Sequence, residues 1–374
     1  MQSIVPMQCL QREYEADKET FLSVFDAVCS ASAFCDGDFV RAFEREFAAH
    51  LALRGCSGVN SGTSALFLTM KALGVGRGDE VVVPSATFFA TASAVLMTGA
   101  TPVFADCDAR TWQISPESVA SLLTEKTKLI VGVHLYGGAF DTNAIGKLAG
   151  EAGIPYIEDA CQAAGTKIGG KRAGTFGAAG CFSFYPTKNI GAFGEGGAVV
   201  SDDEALIRRI GFLKKHAQTP DGDHLELGFN MRMEGLQGAF LRVKLQSLDR
   251  AVERRRAIAA YYRQAAERSG ALRYQQSLPG TEHSYHLFVV APGSRADFTA
   301  YMRDRGIETA VHYPIPLHLQ TAFYGGYYRG ALPNAEALCR RCVSVPVSPL
   351  LTDAETERVY EALRDYRGAS PEES

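Results

Sequence analysis

The chain has 374 residues, 46% hydrophobic and 21% charged, with 38 basic side chains against 42 acidic ones and a net charge of −4. That balance, without any basic block, excludes nucleic acid as the main partner, and the length suits two or three domains at roughly 150 residues each. The most apolar window, 86–100, is too short and too rich in Thr and Ser to span a bilayer.

The N-terminus lacks the charged-then-apolar pattern of a secretory signal, so a cytoplasmic location is expected and no membrane partner. From about residue 55 to 210, apolar runs alternate with helical patterns. The runs fall at 80–84, 101–105, 128–135, 154–158, 180–184 and 198–201, and the helical stretches near 63–74, 88–98, 116–123, 141–152 and from 203 into the 210s. Such alternation predicts an α/β fold with a mostly parallel sheet covered by helices on both faces. Val81, Val82, Val83, Ile130, Val131 and Val133 read as buried on both sides.

A polar loop follows at 219–224, then one long helical pattern from Glu234 to about Glu267. Within it, Arg250 to Arg256 reads as a solvated helix face. Beyond it, strands at 286–291 and 308–311 and helices at 295–305 and 353–367 predict a smaller C-terminal α+β domain. The expected division is 1–250 for the large domain, including the N-terminal segment, and 251–374 for the small one. Nine scattered cysteines make an odd count, against a disulfide framework. Cys339 and Cys342 form the only C-x-x-C pair and read as buried small hydrophobes, so no metal is expected.

Three local features carry chemistry. The turn Val59-Asn60-Ser61-Gly62-Thr63-Ser64-Ala65-Leu66 opens an apolar helix with small polar residues. Unpaired backbone N–H groups and the helix dipole suit such a start to a phosphate, although, taken by itself, an ordinary N-cap by Ser61 or Thr63 is the preferred reading. No Gly-Lys-Ser/Thr follows, so it is not a nucleotide P-loop. Next, Asp159 falls at the end of the apolar run 154–157, the edge of an α/β sheet where ligands bind. An acid there can hold the proton of a pyridine nitrogen; capping a following helix is the alternative. Finally, Lys188 lies between the apolar run 181–185 and a turn, Gly191-Ala-Phe-Gly194-Glu-Gly196-Gly197, with four glycines in seven residues. A lysine at a strand end beside permissive backbone is a candidate amine nucleophile for a carbonyl.

These segments carry a resemblance. In order along the chain come Asn60-Ser-Gly-Thr-Ser-Ala-Leu66, Gly78-Asp-Glu-Val-Val-Val-Pro84, Thr87-Phe88-Phe-Ala-Thr91, His134-Leu-Tyr-Gly137 and Glu158-Asp-Ala-Cys-Gln162. They are followed by Ser183-Phe-Tyr-Pro-Thr-Lys188, Gly228-Phe-Asn230-Met-Arg232 and His312-Tyr-Pro-Ile-Pro-Leu-His318. From about residue 40 to 365 the chain resembles the sugar aminotransferases of the DegT/DnrJ/EryC1/StrS type, which are fold-type-I enzymes dependent on pyridoxal 5'-phosphate. The resemblance implies that Lys188 carries the cofactor as a Schiff base, that Asp159 pairs with the pyridine nitrogen, and that Gln162 bonds near the ring hydroxyl. Phe88 would stack on the ring, while Gly62, Thr63 and Ser183 would hold the phosphate. Asn230 would reach the phosphate of a partner subunit, making a homodimer with shared active sites. The implied reaction moves an amino group from glutamate to a ketosugar carried on a nucleotide.

Arg232, with His312 and Tyr313, is the candidate for binding the donor carboxylate or sugar–phosphate groups, because a planar guanidinium suits both. A structural ion pair is the equal alternative for Arg232. The segment 312–318 is more similar to family members that aminate C3 of a hexose than to those acting at C4; its prolines also suit a rigid turn. Ser64 stands where the family often has Asp, Gly138-Ala139 where it often has Gln-Pro, and the segment Phe34-Cys-Asp-Gly37-Asp38 lacks the usual Gly-Pro. Two rivals share the scaffold. A sugar dehydratase would replace Lys188 with histidine, and a non-catalytic regulator would not need the set Lys188, Asp159, Gln162 and Ser183.

Overall fold

The strands, in chain order, are β1 (Gly55–Val59), β2 (Glu80–Pro84), β3 (Thr101–Ala105), β4 (Thr127–Val133), β5 (Tyr156–Asp159), β6 (Lys167–Ile168) and β7 (Lys171–Arg172). They continue as β8 (Gly180–Ser183), β9 (Gly197–Ser201), β10 (Leu272–Tyr274), β11 (Thr281–Glu282), β12 (Phe288–Pro292) and β13 (Val343–Val345). The computed structural model describes residues 4–323 and 331–368. Seven strands form the main sheet in the order β1-β9-β8-β5-β4-β2-β3. β9 runs antiparallel to both its neighbours, and the pairs β8/β5, β5/β4, β4/β2 and β2/β3 are parallel. The carboxyl ends of β2, β4, β5 and β8 therefore open on one edge, the place for a ligand in such a sheet.

Both faces of the sheet are covered, and its middle strands β2 and β4 turn apolar side chains both ways. Val81 and Val83 of β2, with Leu129, Val131 and Val133 of β4, pack into one core with Leu66, Leu68 and Met70 of the helix Gly62–Ala72. Val82 and Ile130 turn the other way, toward Ile145 and Ala149 of the helix Thr142–Ala152. The alternation of side chains in a strand produces this division. All six residues expected to be buried are at most 3% exposed.

A second sheet, β10-β12-β13, is antiparallel. Phe288 and Val290 of β12 face a core built with Ile258 and Tyr262 of the helix Leu248–Ser269 and Val359 and Leu363 of the helix Asp353–Asp365. Leu287, Val289 and Ala291 face the first core instead. Val5 and Cys9 lie in the second core, and Val5 bridges to Ile307, so the start of the chain packs with the C-terminal elements. β6, β7 and β11 make a small third sheet.

Four expectations are corrected. The helical pattern 234–267 is two helices, Gly235–Leu245 and Leu248–Ser269, broken at Gln246–Ser247. Residues 308–311 form no strand; Ala310 makes only an isolated bridge to Ser344. β1, with its small residues Gly55, Cys56, Ser57 and Gly58, was absent from the expected runs. Arg255 leaves the solvated face: it is 7% exposed and donates from Nη1 to Tyr285 O (3.2 Å) and Val347 O (3.3 Å).

Candidate active site

Three candidate segments follow strand ends on that carboxyl edge: the turn after β1, Asp159 closing β5 and Lys188 after β8. At the end of β1 the turn enters the helix Gly62–Ala72, and Ser61 is its N-cap, accepting from Ser64 N at 3.1 Å. Cap and anion site coexist here. Ser61 satisfies Ser64 N–H, while the N–H groups of Gly62 and Thr63 have no hydrogen bond to a described residue. Gly62 is held by its lack of a side chain: a Cβ would stand 2.7 Å from Ser183 Cβ and 2.8 Å from Cys161 Sγ. The end of β8 is therefore pressed against the helix start, which brings Ser183 beside Gly62.

Asp159 is the last residue of β5. No helix begins between it and Glu204, so it is not a helix cap. It is 5% exposed, and its carboxylate accepts from Thr91 Oγ1 at 2.8 Å and from Cys161 N at 3.2 Å. Beside it Glu158 is fully buried, accepting from Gly174 N (2.7 Å), Phe176 N (2.6 Å), Gly177 N (2.8 Å) and His134 Nε2 (2.8 Å). A buried carboxylate persists only with such complete satisfaction. It ties β4, β5 and the 174–177 turn together directly behind Asp159.

Lys188 follows β8 in a tight turn, its N–H donating to Tyr185 O at 2.8 Å. Gly191 permits the chain to fold back, since a Cβ there would lie 2.3 Å from Pro186 O. Burial pushes the Lys188 ammonium below its ordinary pKa, and the nearby acidic groups of Cys161 and Asp159 oppose that. The half-buried lysine thus shares one electrostatic neighbourhood with Asp159.

Gln162 is 5% exposed and has both ends of its amide engaged: Tyr136 N donates to Oε1 (2.7 Å), and Nε2 donates to the Tyr313 hydroxyl (3.0 Å). Tyr313 packs against Phe88, with ring centroids 5.5 Å apart. Phe88 is 52% exposed, presenting a free ring face at the mouth. Tyr136 OH donates to His312 O, and His312 Nδ1 bonds Ser344 Oγ at 2.8 Å. Burial, followed by the charge of Lys188, pushes the His312 imidazole down to about 4.

The two remaining candidates lie apart. Asn230 is exposed and bridges to Lys215, and Arg232 bridges to Val59 and donates from Nε to Asn230 Oδ1 at 3.1 Å. The helix at Gly235 begins after Glu234, so Asn230 does not cap it. Arg232 makes no ion pair, hydrogen bond or ring contact with His312 or Tyr313, and the expected trio is not assembled within one chain. Thr91, Tyr136 and Glu158 are the residues that sequence reasoning left without a role. Each stands inside a quoted motif, yet only its partner across the fold reveals what it does. Cys339 and Cys342 are buried, and among the described residues no group of three or more His, Cys, Asp or Glu is placed to hold a metal. No helix of the described residues is long and apolar enough to cross a membrane.

The donor set fits pyridoxal phosphate: two free N–H groups with Ser183 for a phosphate, a buried acid for a pyridine nitrogen, and a lysine in the electrostatic neighbourhood of that acid. Comparison with known proteins agrees. The chain is 38% identical to a pleiotropic regulatory protein of Geobacillus stearothermophilus, over 97% of this chain and 98% of that one. It is 37% identical to the dTDP-3-amino-3,4,6-trideoxy-alpha-D-glucose transaminase of Streptomyces venezuelae, over 97% and 96%. The crystal structure of S. venezuelae DesV in complex with a ketimine intermediate superposes with a TM-score of 0.95 at 37% identity, covering 97% of this chain and 98% of that one. The DegT/DnrJ/EryC1/StrS aminotransferase family model matches residues 15–364, and the chain belongs to that family as a pyridoxal-phosphate-dependent aminotransferase.

Proposed function

We propose that this enzyme transfers an amino group from glutamate to the 3-keto carbon of a hexose carried on a nucleotide. The observation that carries the reading is the half-buried Lys188 following β8 beside buried Asp159 at the end of the neighbouring β5, on the carboxyl edge of the sheet, in a chain similar to a transaminase named for a 3-amino nucleotide sugar. The bound cofactor supplies an electron sink for the carbanion formed when a substrate C–H bond is broken. Everything else falls to the protein. Gly62, Thr63 and Ser183 anchor the phosphate at the helix start. Asp159, fixed by Thr91 and Cys161 N, holds a negative charge where a protonated ring nitrogen is needed. Lys188, with its ammonium destabilised by burial, takes the proton from the substrate carbon at Nζ and returns it. Phe88 and Tyr313 border the opening, and His312 stays neutral, so it can accept a hydrogen bond from a sugar hydroxyl.

Asn230 and Arg232 belong, in this reading, to the site of a second copy, which makes a homodimer the working unit. The exposed position of Asn230 supports it. Nine free cysteines suit a reducing compartment, the cytosol. A large domain over 1–250 and a small one over 251–374 remain part of the proposal, although Val5 and Cys9 pack in the second core and Leu287, Val289 and Ala291 in the first. The test is a panel of nucleotide-linked 3-keto and 4-keto hexoses incubated with glutamate and pyridoxal phosphate and read by mass spectrometry. A gain of an amino group on the 3-keto substrates is expected. Conversion of 4-keto sugars alone, or of none while a half-reaction with glutamate proceeds, rejects the assignment.

A further inference from the structure

β1 ends the main sheet, with β9 as its neighbour, and runs straight into the turn that opens the helix Gly62–Ala72. An edge strand leaves peptide groups without a strand to bond, and those that are buried need another partner. At Gly58 both the N–H and the C=O find one in a charged side chain. Gly58 N donates to Glu44 Oε1 at 2.7 Å, and Gly58 O accepts from Lys214 Nζ at 2.6 Å. Lys214 Nζ also meets Glu44 Oε1 at 3.2 Å, which closes an ion pair around one residue of backbone. Lys214 is 3% exposed, so the ammonium is held nearly out of water.

Lys214 acts a second time through its backbone. Its carbonyl accepts from Met231 N at 3.1 Å, and Met231 O accepts from Asn60 N at 3.2 Å. These bonds make a closed ring through Gly58, Asn60, Met231 and Lys214. Asn60 is tied in turn to the helix start: its Oδ1 accepts from Ser64 Oγ at 2.6 Å, and Ser64 Oγ lies 3.0 Å from Ser61 Oγ. On its other side the turn meets β9, where a Cβ on Gly197 would stand 2.4 Å from Ser61 O. The free N–H groups of Gly62 and Thr63 are therefore set by a frame that includes the Glu44–Lys214 pair. A buried ion pair gains little net stability over apolar side chains of the same size. What it adds is direction, because a carboxylate and an ammonium fix where the N–H and the C=O between them must point.

We propose that Glu44 and Lys214 are positioning residues for the phosphate turn: by holding both peptide groups of Gly58 they fix the N–H groups of Gly62 and Thr63 where the cofactor phosphate binds. The inference rests on the reading that this turn takes the phosphate. Both side chains act through the backbone of 58–60, so their loss should be felt by the phosphate and not by the pyridine ring.

The experiment titrates the cofactor-free full chain with pyridoxal phosphate and, separately, with pyridoxal, followed by the absorbance of the bound chromophore. The ratio of the two dissociation constants reports the phosphate site, because contacts to the ring and the aldehyde are common to both ligands. Lys214→Met removes the donor to Gly58 O. It is expected to weaken pyridoxal phosphate binding about tenfold, typical of one hydrogen bond to a charged group, and to leave pyridoxal binding unchanged. An unchanged ratio, or equal weakening of both ligands, overturns the proposal and leaves a structural ion pair. If Lys214→Met does not fold, Glu44→Ala is read in its place, since Glu44 lines a groove open to water between the helices Asp38–Leu51 and Glu204–Leu213. An unchanged ratio there overturns the proposal equally. A wild type that binds pyridoxal as tightly as its phosphate would reject the phosphate site itself, and the inference with it.

Discussion

Replacing Glu158 with Gln removes one charge and one acceptor from a group that the fold satisfies completely. Oε1 accepts the N–H groups of Phe176 and Gly177, and Oε2 accepts those of Gly174 and His134. A glutamine must put its NH2 at one of these positions. Placed at Oε1 it meets two backbone donors that cannot change, so it will take the Oε2 position, where His134 can switch tautomer and accept. Gly174 N–H is then left buried without a partner. Losing a hydrogen bond to a charged acceptor costs about 1.5–3 kcal/mol, and a stranded buried donor about 1–3 kcal/mol more. A total of about 3–5 kcal/mol is expected. At roughly 2.1 cal/mol/K per residue over 374 residues, that lowers Tm by about 4–6 °C. The assay is calorimetry of the cofactor-free chain, with turnover as a second measure, because the turn at 174–177 backs Asp159. A Tm within about 1 °C of wild type would refute the accounting, since it would mean that Glu158 is not holding the four donors as a carboxylate.

Asp159→Asn should fold normally and bind pyridoxal phosphate, with turnover reduced by several orders of magnitude; wild-type turnover would show that the acid does not serve the cofactor. Arg12 holds the Glu355 carboxyl down to about 2, through paired bonds of 2.7 Å each. The group is depressed, so its contribution is complete above the unfolded value near 4.5 and is lost as pH falls toward 2. Arg12→Ala should therefore be less stable than wild type at pH 7, the gap closing by pH 2; a gap independent of pH would assign the effect to packing. In subunit mixing, Lys188→Ala chains combined with impaired Asn230→Ala chains should regain activity, because one site of each heterodimer has both residues. Exchange proven without recovery rejects the shared site.

The sequence alone determined the sheet-and-helix alternation and the positions of Lys188, Asp159, Gln162 and the Ser61–Thr63 turn. Strands buried on both faces must be apolar throughout, so 80–84 and 128–133 announce themselves, and ligand residues fall where those runs stop. β1 stayed hidden because Gly55, Cys56, Ser57 and Gly58 carry almost no strand signal until β9 pairs with them. The reversed direction of β9 was equally silent, since a run of Ala and Val is the same read either way. Tertiary structure also decided which polar residues matter. Thr91 meets Asp159 across 68 positions of chain, and Tyr136 meets Gln162 across 26. Arg255 has the local pattern of a solvated arginine and is buried only because Tyr285 and Val347 offer it carbonyls. Periodicity reports how a segment shares its surface between water and core. The identity of a hydrogen-bond partner depends on what the folded chain brings alongside, and no local pattern encodes that.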